Sequence, residues 1–308
     1  MQEHRAIIQA ALNNLPRFAS GEAKIIAVTR LGGLTNLVFR VETGTEKLVV
    51  RVPGAGTEAY IDRKVELHNA QVAARAGVSA EILWADGESG VMISRLVDPA
   101  VTMTPSLFAS REGAAARAGI ALKALHSAPE PFDFRFELFA MIDGYLAVLR
   151  EKGAALPEGY YDVVAACGPV KAALEANPAA LAPCHCDPLC ENFLDDGTRM
   201  WIIDWEYSGM NDPMWDLGDL SVEAGFSEAQ DHEMLAAYFG KAPDAADFGR
   251  MVIYKAMCDL LWTLWGLIQH AEGNPAEDFW AYATGRFERC KALMNTSGFA
   301  SHLRAISG

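Results

Sequence analysis

The sequence predicts an α+β protein built as two lobes, a small β-rich N-lobe and a larger, mostly helical C-lobe. Three observations carry that reading. Up to about Val97 the chain reads as short strands separated by turns, with one helical stretch among them. Beyond it, long patterns of helical period dominate. Only one compact β-like region, Cys184 to Ile203, interrupts those helices. Strands first and helices second is the order of an α+β chain rather than an alternating α/β one. The boundary falls near Leu96 to Ala100, so the lobes are taken as residues 1–97 and 98–308.

In the N-lobe, Lys24 to Arg30 reads as a strand. Leu31-Gly32-Gly33-Leu34-Thr35-Asn36 is a turn, and Leu37 to Glu42 alternates as a second strand. Thr43-Gly44-Thr45-Glu46 makes a hairpin turn into a third strand, Lys47 to Val52, which Pro53 and Gly54 end. Ile61 to Ala76 has helical spacing with Gly77 just beyond it as a cap. Two more strands, Ala80 to Trp84 and Val91 to Leu96, flank the turn at residues 86–90. In the C-lobe the helical patterns are Ala114 to His126, Leu138 to Lys152, Tyr160 to Asn177, Ala229 to Phe239, Gly249 to His270 and Glu277 to Met294.

Composition narrows the function. The 308 residues are 51% hydrophobic and 21% charged, enough for a large core and too apolar for a disordered chain. A formal charge of -14 argues against nucleic acid and against an anionic membrane surface, and mildly favours a cationic small molecule. The opening residues carry no apolar leader, and the most apolar stretch, Met257 to Ile268, is interrupted by Asp259 and too short to cross a bilayer. The expectation is a cytoplasmic protein with no membrane insertion. Its six cysteines are then expected to be free thiols.

The chemistry concentrates between His185 and Asp204. His185-Cys186-Asp187-Pro188-Leu189-Cys190-Glu191-Asn192 contains H-x-D-x-x-x-x-N, the spacing of a kinase catalytic loop. Asp187 can take a proton from an attacking hydroxyl, and Asn192, five residues on, can reach Mg²⁺. The apolar strand Met200 to Ile203 then delivers Asp204, where a second Mg²⁺ ligand is needed against the β- and γ-phosphates of ATP. The rival reading is a zinc cluster of Cys184, His185, Cys186 and Cys190. It lacks a second knuckle and leaves Asp187, Asn192 and Asp204 unexplained.

These residues, together with Ile203-Asp204-Trp205-Glu206-Tyr207 and Trp215-Asp216-Leu217, resemble the choline/ethanolamine kinase family, within the group that includes the aminoglycoside phosphotransferases. The resemblance runs from about Arg30 to Gln269. It implies a protein-kinase-like fold and an ATP- and Mg²⁺-dependent kinase acting on the hydroxyl of a small cationic alcohol. Gly32, Gly33, Thr35 and Asn36 are similar to the family's phosphate loop. Arg51 stands on the next strand where the family places the cation for the α- and β-phosphates. Glu66, on the following helix, is the candidate partner of Arg51, with Glu58 and Asp62 as alternatives. The resemblance gives Asp216 a bracing role beneath the catalytic loop and has His126 pack there as well.

The substrate side lies on the helix from Gly249 to His270. Ile253, Met257, Leu260, Leu264, Leu267 and Ile268 make one apolar stripe, and Cys258, Trp262, Trp265 and Gln269 lie roughly opposite. The plain reading is a helix buried on both sides. The functional one is an aromatic wall for an ammonium cation. Trp262 and Trp265 also match the family's late W-x-x-W element, and Glu206, Tyr207 and Tyr254 are further candidates for the cation site. The expected acceptor is choline or ethanolamine. Thiamine and aminoglycosides are alternatives within the same chemistry, and a non-catalytic nucleotide-binding pseudokinase is the alternative outside it.

Overall fold

The computed structural model describes residues 2–32, 36–54 and 61–307. Two helices come first, α1 (Gln2–Leu12) and α2 (Pro16–Ala19). They precede β1 (Ala27–Arg30), β2 (Asn36–Glu42), β3 (Lys47–Pro53), α3 (Arg63–Arg75), β4 (Ile82–Ala85) and β5 (Met92–Arg95). The five strands form one antiparallel sheet in the order β1-β2-β3-β5-β4. Period-two alternation sends Phe39, Val41, Leu48, Val50 and Ile93 inward, into one buried cluster with Ile8, Leu12, Leu15 and Phe18 of the leading helices. The expected elements did not include those helices, although Ile8, Ala11, Leu12 and Leu15 recur at helical spacing. Asp62 caps α3 by accepting from the N–H groups of Lys64 and Val65, and Gly77 follows its end with φ 76°.

The C-lobe opens with β6 (Val101–Thr102), α4 (Pro105–Ser110), α5 (Ala114–His126), α6 (Leu138–Glu151), α7 (Tyr160–Ala166) and α8 (Gly168–Ala176). The single helix expected from Tyr160 to Asn177 is thus two. Pro169 has no N–H for the helical ladder and restarts the helix at its first turn. Next come β7 (Ala182–Cys184), β8 (Phe193–Asp195), β9 (Met200–Ile202) and β10 (Gly209–Asn211). They pair as β10-β7 and as β6-β8-β9. The chain ends in α9 (Pro213–Ala224), α10 (Glu228–Phe239), α11 (Ala245–Ala271), α12 (Phe279–Met294) and α13 (Phe299–Ile306).

The centre of the C-lobe is α11, packed by α6, α9, α12 and α13. At 27 residues it is long and apolar enough to cross a membrane, which corrects the expectation that the stretch around Met257 is too short. Its apolar surface is instead buried within the protein, against both stripes of the helix. Asp259, the charge that interrupts the stretch, is buried too and held by Arg286 at 3.2 Å and by Arg289.

Candidate functional site

The catalytic loop leaves β7, which is fixed by pairing with β10 (Cys184 opposite Gly209). One carboxylate shapes the start of that loop. Asp216, on α9 and fully buried, accepts the backbone N–H of His185 at 2.7 Å and of Cys186 at 2.8 Å. His126 Nε2 lies 3.0 Å from the same carboxylate, and the Trp215 indole donates to the Cys186 carbonyl at 3.0 Å. The backbone at Cys186 is left-handed, φ 66°, a strained conformation these bonds hold in place. His185 is buried, with Nε2 2.9 Å from the Ile203 carbonyl, and burial lowers its pKa. The thiols of Cys184 and Cys186 donate to the carbonyls of Asn211 and Gly209, and the thiols of all six cysteines are free.

Asp187 comes next, half-buried at the mouth of the loop. Asn192 lies in a short 3-10 turn and donates from Nδ2 to the Asp187 carbonyl at 3.1 Å, so the two side chains are set by one small piece of backbone. Ile203 N–H donates to the Asn192 carbonyl at 3.0 Å, which ties that turn to the strand delivering Asp204. Asp204 has φ 69°, and its buried Oδ1 has no hydrogen-bond partner among the described residues. Burial raises its pKa; Arg51, at 3.8 Å, opposes that rise.

An orphaned carboxylate oxygen in a strained backbone is what a divalent cation relieves. Glu66, Asp204 and Glu206 present carboxylate oxygens within 4.8 Å of one another, and the donor set is all oxygen, as Mg²⁺ requires. Glu66 and Glu206 are already engaged by Arg51, Arg63 and Asn36, so Asp204, with the amide of Asn192 tied to the same strand, is the oxygen donor that fits the ion.

On the nucleotide side Arg51 of β3 donates to both oxygens of Glu66, one at 2.8 Å, and to the Gly90 carbonyl at 3.2 Å. Asp62 is spent on the helix cap, and Glu58 lies outside the described residues, as do Gly33 and Thr35 of the phosphate loop. Gly32 ends the described stretch before that loop, and a side chain there would meet nothing within 4 Å, which leaves room for a phosphate to approach. Arg63, unanticipated, is buried and bonds Glu66 at 2.7 Å.

Three of the expected aromatic residues converge. Tyr207 and Trp262 meet edge to face at 5.6 Å, and Trp262 and Trp265 stand perpendicular at 6.5 Å. The Trp265 indole donates to the Tyr207 hydroxyl at 3.2 Å.

A profile of the phosphotransferase enzyme family matches residues 27–246. The chain belongs to that family. Among solved structures, this phosphotransferase is similar to a choline/ethanolamine kinase family protein from Mesorhizobium loti, with 55% identity, TM-score 0.90 and coverage of 100% of this chain and 99% of that one. It is also similar to the choline kinase LicA of Streptococcus pneumoniae, at 26% identity and TM-score 0.75 over 96% and 98% of the two chains. Among curated proteins, Protein LicA of Haemophilus influenzae is 28% identical over 280 residues, 87% of this chain and 80% of the relative. Human ethanolamine kinase 2 is 26% identical over 83% of this chain and 73% of its own length. The protein is a phosphotransferase with an alcohol group as acceptor, built on the α+β protein-kinase-like fold.

Three side chains of the phosphotransferase lie away from their expected places. Tyr254 is not among the aromatic group. Its hydroxyl donates to Asp212 at 2.9 Å and its ring meets Trp215 at 5.9 Å, beneath the start of α9. Glu206 turns toward the N-lobe, where Asn36 donates to it at 3.2 Å and Arg63 lies 3.5 Å away. Asn36 is thereby placed at the junction of the lobes, its Nδ2 on Glu206.

Near the aromatic group of the phosphotransferase lie Asp219 and Glu223, which sequence reasoning missed although it named Asp216 on the same helix. Asp216, Asp219 and Glu223 fall at i, i+3 and i+7 on one face of α9. Asp219 accepts the Trp262 indole N–H at 3.1 Å, and Glu223 pairs with Arg286. Tyr282 of α12 meets Trp265 at 5.8 Å and carries Arg286 over its ring at 4.6 Å. The carboxyl of Asp187 is pushed well up by burial, then by Glu223, Asp204 and Glu206, with Arg286 opposing. The signal was available: three acids at helical spacing in a segment that is otherwise apolar.

Proposed function

We propose that the enzyme transfers the γ-phosphoryl group of ATP to the hydroxyl of a small amino alcohol of the choline or ethanolamine class. One observation carries this most: Tyr207, Trp262 and Trp265 form one aromatic group, the Trp262 indole is held by the carboxylate of Asp219, and Glu223, one turn further along α9, acts on the carboxyl of Asp187. Aromatic faces and carboxylates together favour an ammonium group. Arg286 is shared by Glu223 and Asp259, so an anionic or neutral acceptor would add no cation for the remaining acid, Asp219.

The mechanism follows from the placement. Arg51, held in orientation by Glu66, takes the α- and β-phosphates. Asn192 and Asp204 would hold Mg²⁺, which supplies charge neutralisation for the β- and γ-phosphates. Asp187 orients the acceptor hydroxyl and takes its proton as the new O–P bond forms and the bond from γ-phosphorus to the β,γ-bridging oxygen breaks, leaving ADP. The pocket contributes position: an ammonium seated against the indoles sets where the hydroxyl lies relative to Asp187.

ATP consumption with Mg²⁺ against choline, ethanolamine, thiamine and an aminoglycoside tests the proposal, with Asp187→Ala as the control. Turnover with an amino alcohol that disappears in the control is the expected result. Turnover with an aminoglycoside alone would overturn the acceptor assignment. Trp262→Ala and Trp265→Ala are expected to raise the KM for the amine about tenfold or more while changing the KM for ATP little. An equal rise in both would instead indicate general loss of structure.

A further inference from the structure

One carboxylate in the acceptor pocket is only half used. Asp219 is 1% exposed. Its Oδ2 accepts the Trp262 indole N–H at 3.1 Å. Its Oδ1 is buried and has no hydrogen-bond partner among the described residues. Arg286, the nearby cation, is already engaged by Glu223 and by Asp259 at 3.2 Å. Asp219 adjoins the groups proposed to receive the substrate. Trp262 is a wall of the aromatic group, Glu223 is one turn further along the same face of α9, and Asp187 is among the charges that act on Asp219.

A buried acceptor with an empty lone pair is costly, so the bound state should fill it. Two kinds of ammonium reach such a pocket. A trimethylammonium group brings positive charge but has no N–H. Its methyl groups would displace whatever water serves Oδ1 and could not replace that hydrogen bond. An ammonium that keeps at least one hydrogen brings both charge and donor.

Resting on the amino-alcohol reading above, we propose that Asp219 is the specificity-determining acceptor of this pocket, its Oδ1 taking an N–H from the substrate's ammonium group. The enzyme thus favours primary, secondary and tertiary ammonium alcohols over a quaternary one. The aromatic walls are compatible with either, since they respond to charge and not to N–H count. Asp219 adds the discrimination.

The test is a methylation series on the intact protein with ATP and Mg²⁺: 2-aminoethanol, its N-methyl and N,N-dimethyl derivatives, and choline. Protonated dimethylaminoethanol still carries one N–H. The expected profile is a step in kcat/KM of about tenfold or more at the last methyl, larger than either earlier step. Crowding alone would give a graded decline, and that result would overturn the proposal. So would choline turned over as well as, or better than, the dimethyl compound. In Asp219→Asn the Trp262 N–H still needs an oxygen, so the amide would turn its NH₂ toward the pocket, a donor where an acceptor is required. That variant removes a charge that every ammonium feels, so KM is expected to rise for both substrates, but about tenfold more for 2-aminoethanol than for choline. Equal losses for both substrates would count against the assignment. If Asp219→Asn does not fold, the wild-type series decides alone. Turnover without the step overturns this inference only. No turnover with any of the four overturns the amino-alcohol reading and this inference with it.

Discussion

Holding Asp204 at φ 69° with a buried oxygen that makes no hydrogen bond among the described residues, and only a 3.8 Å ion pair with Arg51, costs stability. Residues kept at such a cost serve the reaction, so removing one trades activity for stability. Asp204→Ala is expected to lower kcat by about a thousandfold or more while leaving the Tm unchanged or higher. A kcat within about tenfold of wild type would overturn the metal role. Glu66 allows a different measurement. Burial pushes its carboxyl up, but the hydrogen bonds and charges of Arg51 and Arg63 outweigh burial and hold it below the ordinary 4.5. A folded pKa below the unfolded one contributes stability above about pH 4.5, and that contribution is lost as pH falls through the folded value. Glu66→Gln is therefore expected to melt lower than wild type at pH 7, with the gap narrowing below about pH 4. A gap that stays constant on acidification would show that the pairing is not what Glu66 contributes. At this scale the sequence was informative where chemistry dictates spacing: Asp187, Asn192 and Asp204 are brought to one mouth by local backbone bonds. It was uninformative for Glu206 and Tyr254, whose directions are chosen by Arg63, Asn36 and Asp212, distant partners no local pattern names.

Elements were legible in proportion to how far local periodicity decides them. The helix expected at Ala114 to His126 has those bounds in the structure, and the strands of the sheet lie within a few residues of their expected ends. Beyond α1, α2, α4 and α13, which were not expected, two further kinds of element were lost. α9 was passed over because its Trp-Asp-Leu run read as a motif, though Asp212 caps it and Pro213 starts it. The second kind is the break between α7 and α8, which needed the weight of one proline. Helix contacts also explain glycines that propensity alone disfavours. A Cβ at Gly119 of α5 would collide with the carbonyl of Met234 on α10, whereas one at Gly144 of α6 would meet nothing within 4 Å. Gly119→Ala should destabilise by about 1–3 kcal/mol by forcing the two helices apart. Gly144→Ala should stabilise by about 0.5–1 kcal/mol. Denaturant midpoints of the two variants check the pair, and a neutral Gly119→Ala would mean that α10 yields easily.

At the scale of the molecule the two lobes are joined by polar contacts as well as by chain. Asn69 of α3 is fully buried and donates to Ser208 at 2.9 Å through its carbonyl and 3.1 Å through its hydroxyl. Its own oxygen accepts the Asp133 N–H at 3.0 Å. Asn36 and Arg63 reach Glu206 across the same junction. Asn69→Ala leaves three polar groups without this partner and is expected to cost about 2–4 kcal/mol, with the KM for ATP rising because α3 carries Glu66. Thermal melting and ATP kinetics on that variant check both parts, and an unchanged ATP KM would mean that α3 keeps its place without Asn69. The two-lobed α+β plan was legible in the change of period near Val97, but its joint was not. Buried side chains far apart in sequence, such as Arg63 and Glu206, leave no periodic trace. The face of α9 has a consequence at the same scale. Asp216 grips the catalytic loop, and Glu223, seven residues on, pairs with Arg286 beside the proposed cation site. A helix rises 1.5 Å per residue, so these two grips stand about 10 Å apart on one rigid rod. Under the amino-alcohol function proposed above, the enzyme carries a caliper: the span between hydroxyl and ammonium is written into the pitch of a helix. Lengthening that rod by a single residue would swing one jaw by about 100°.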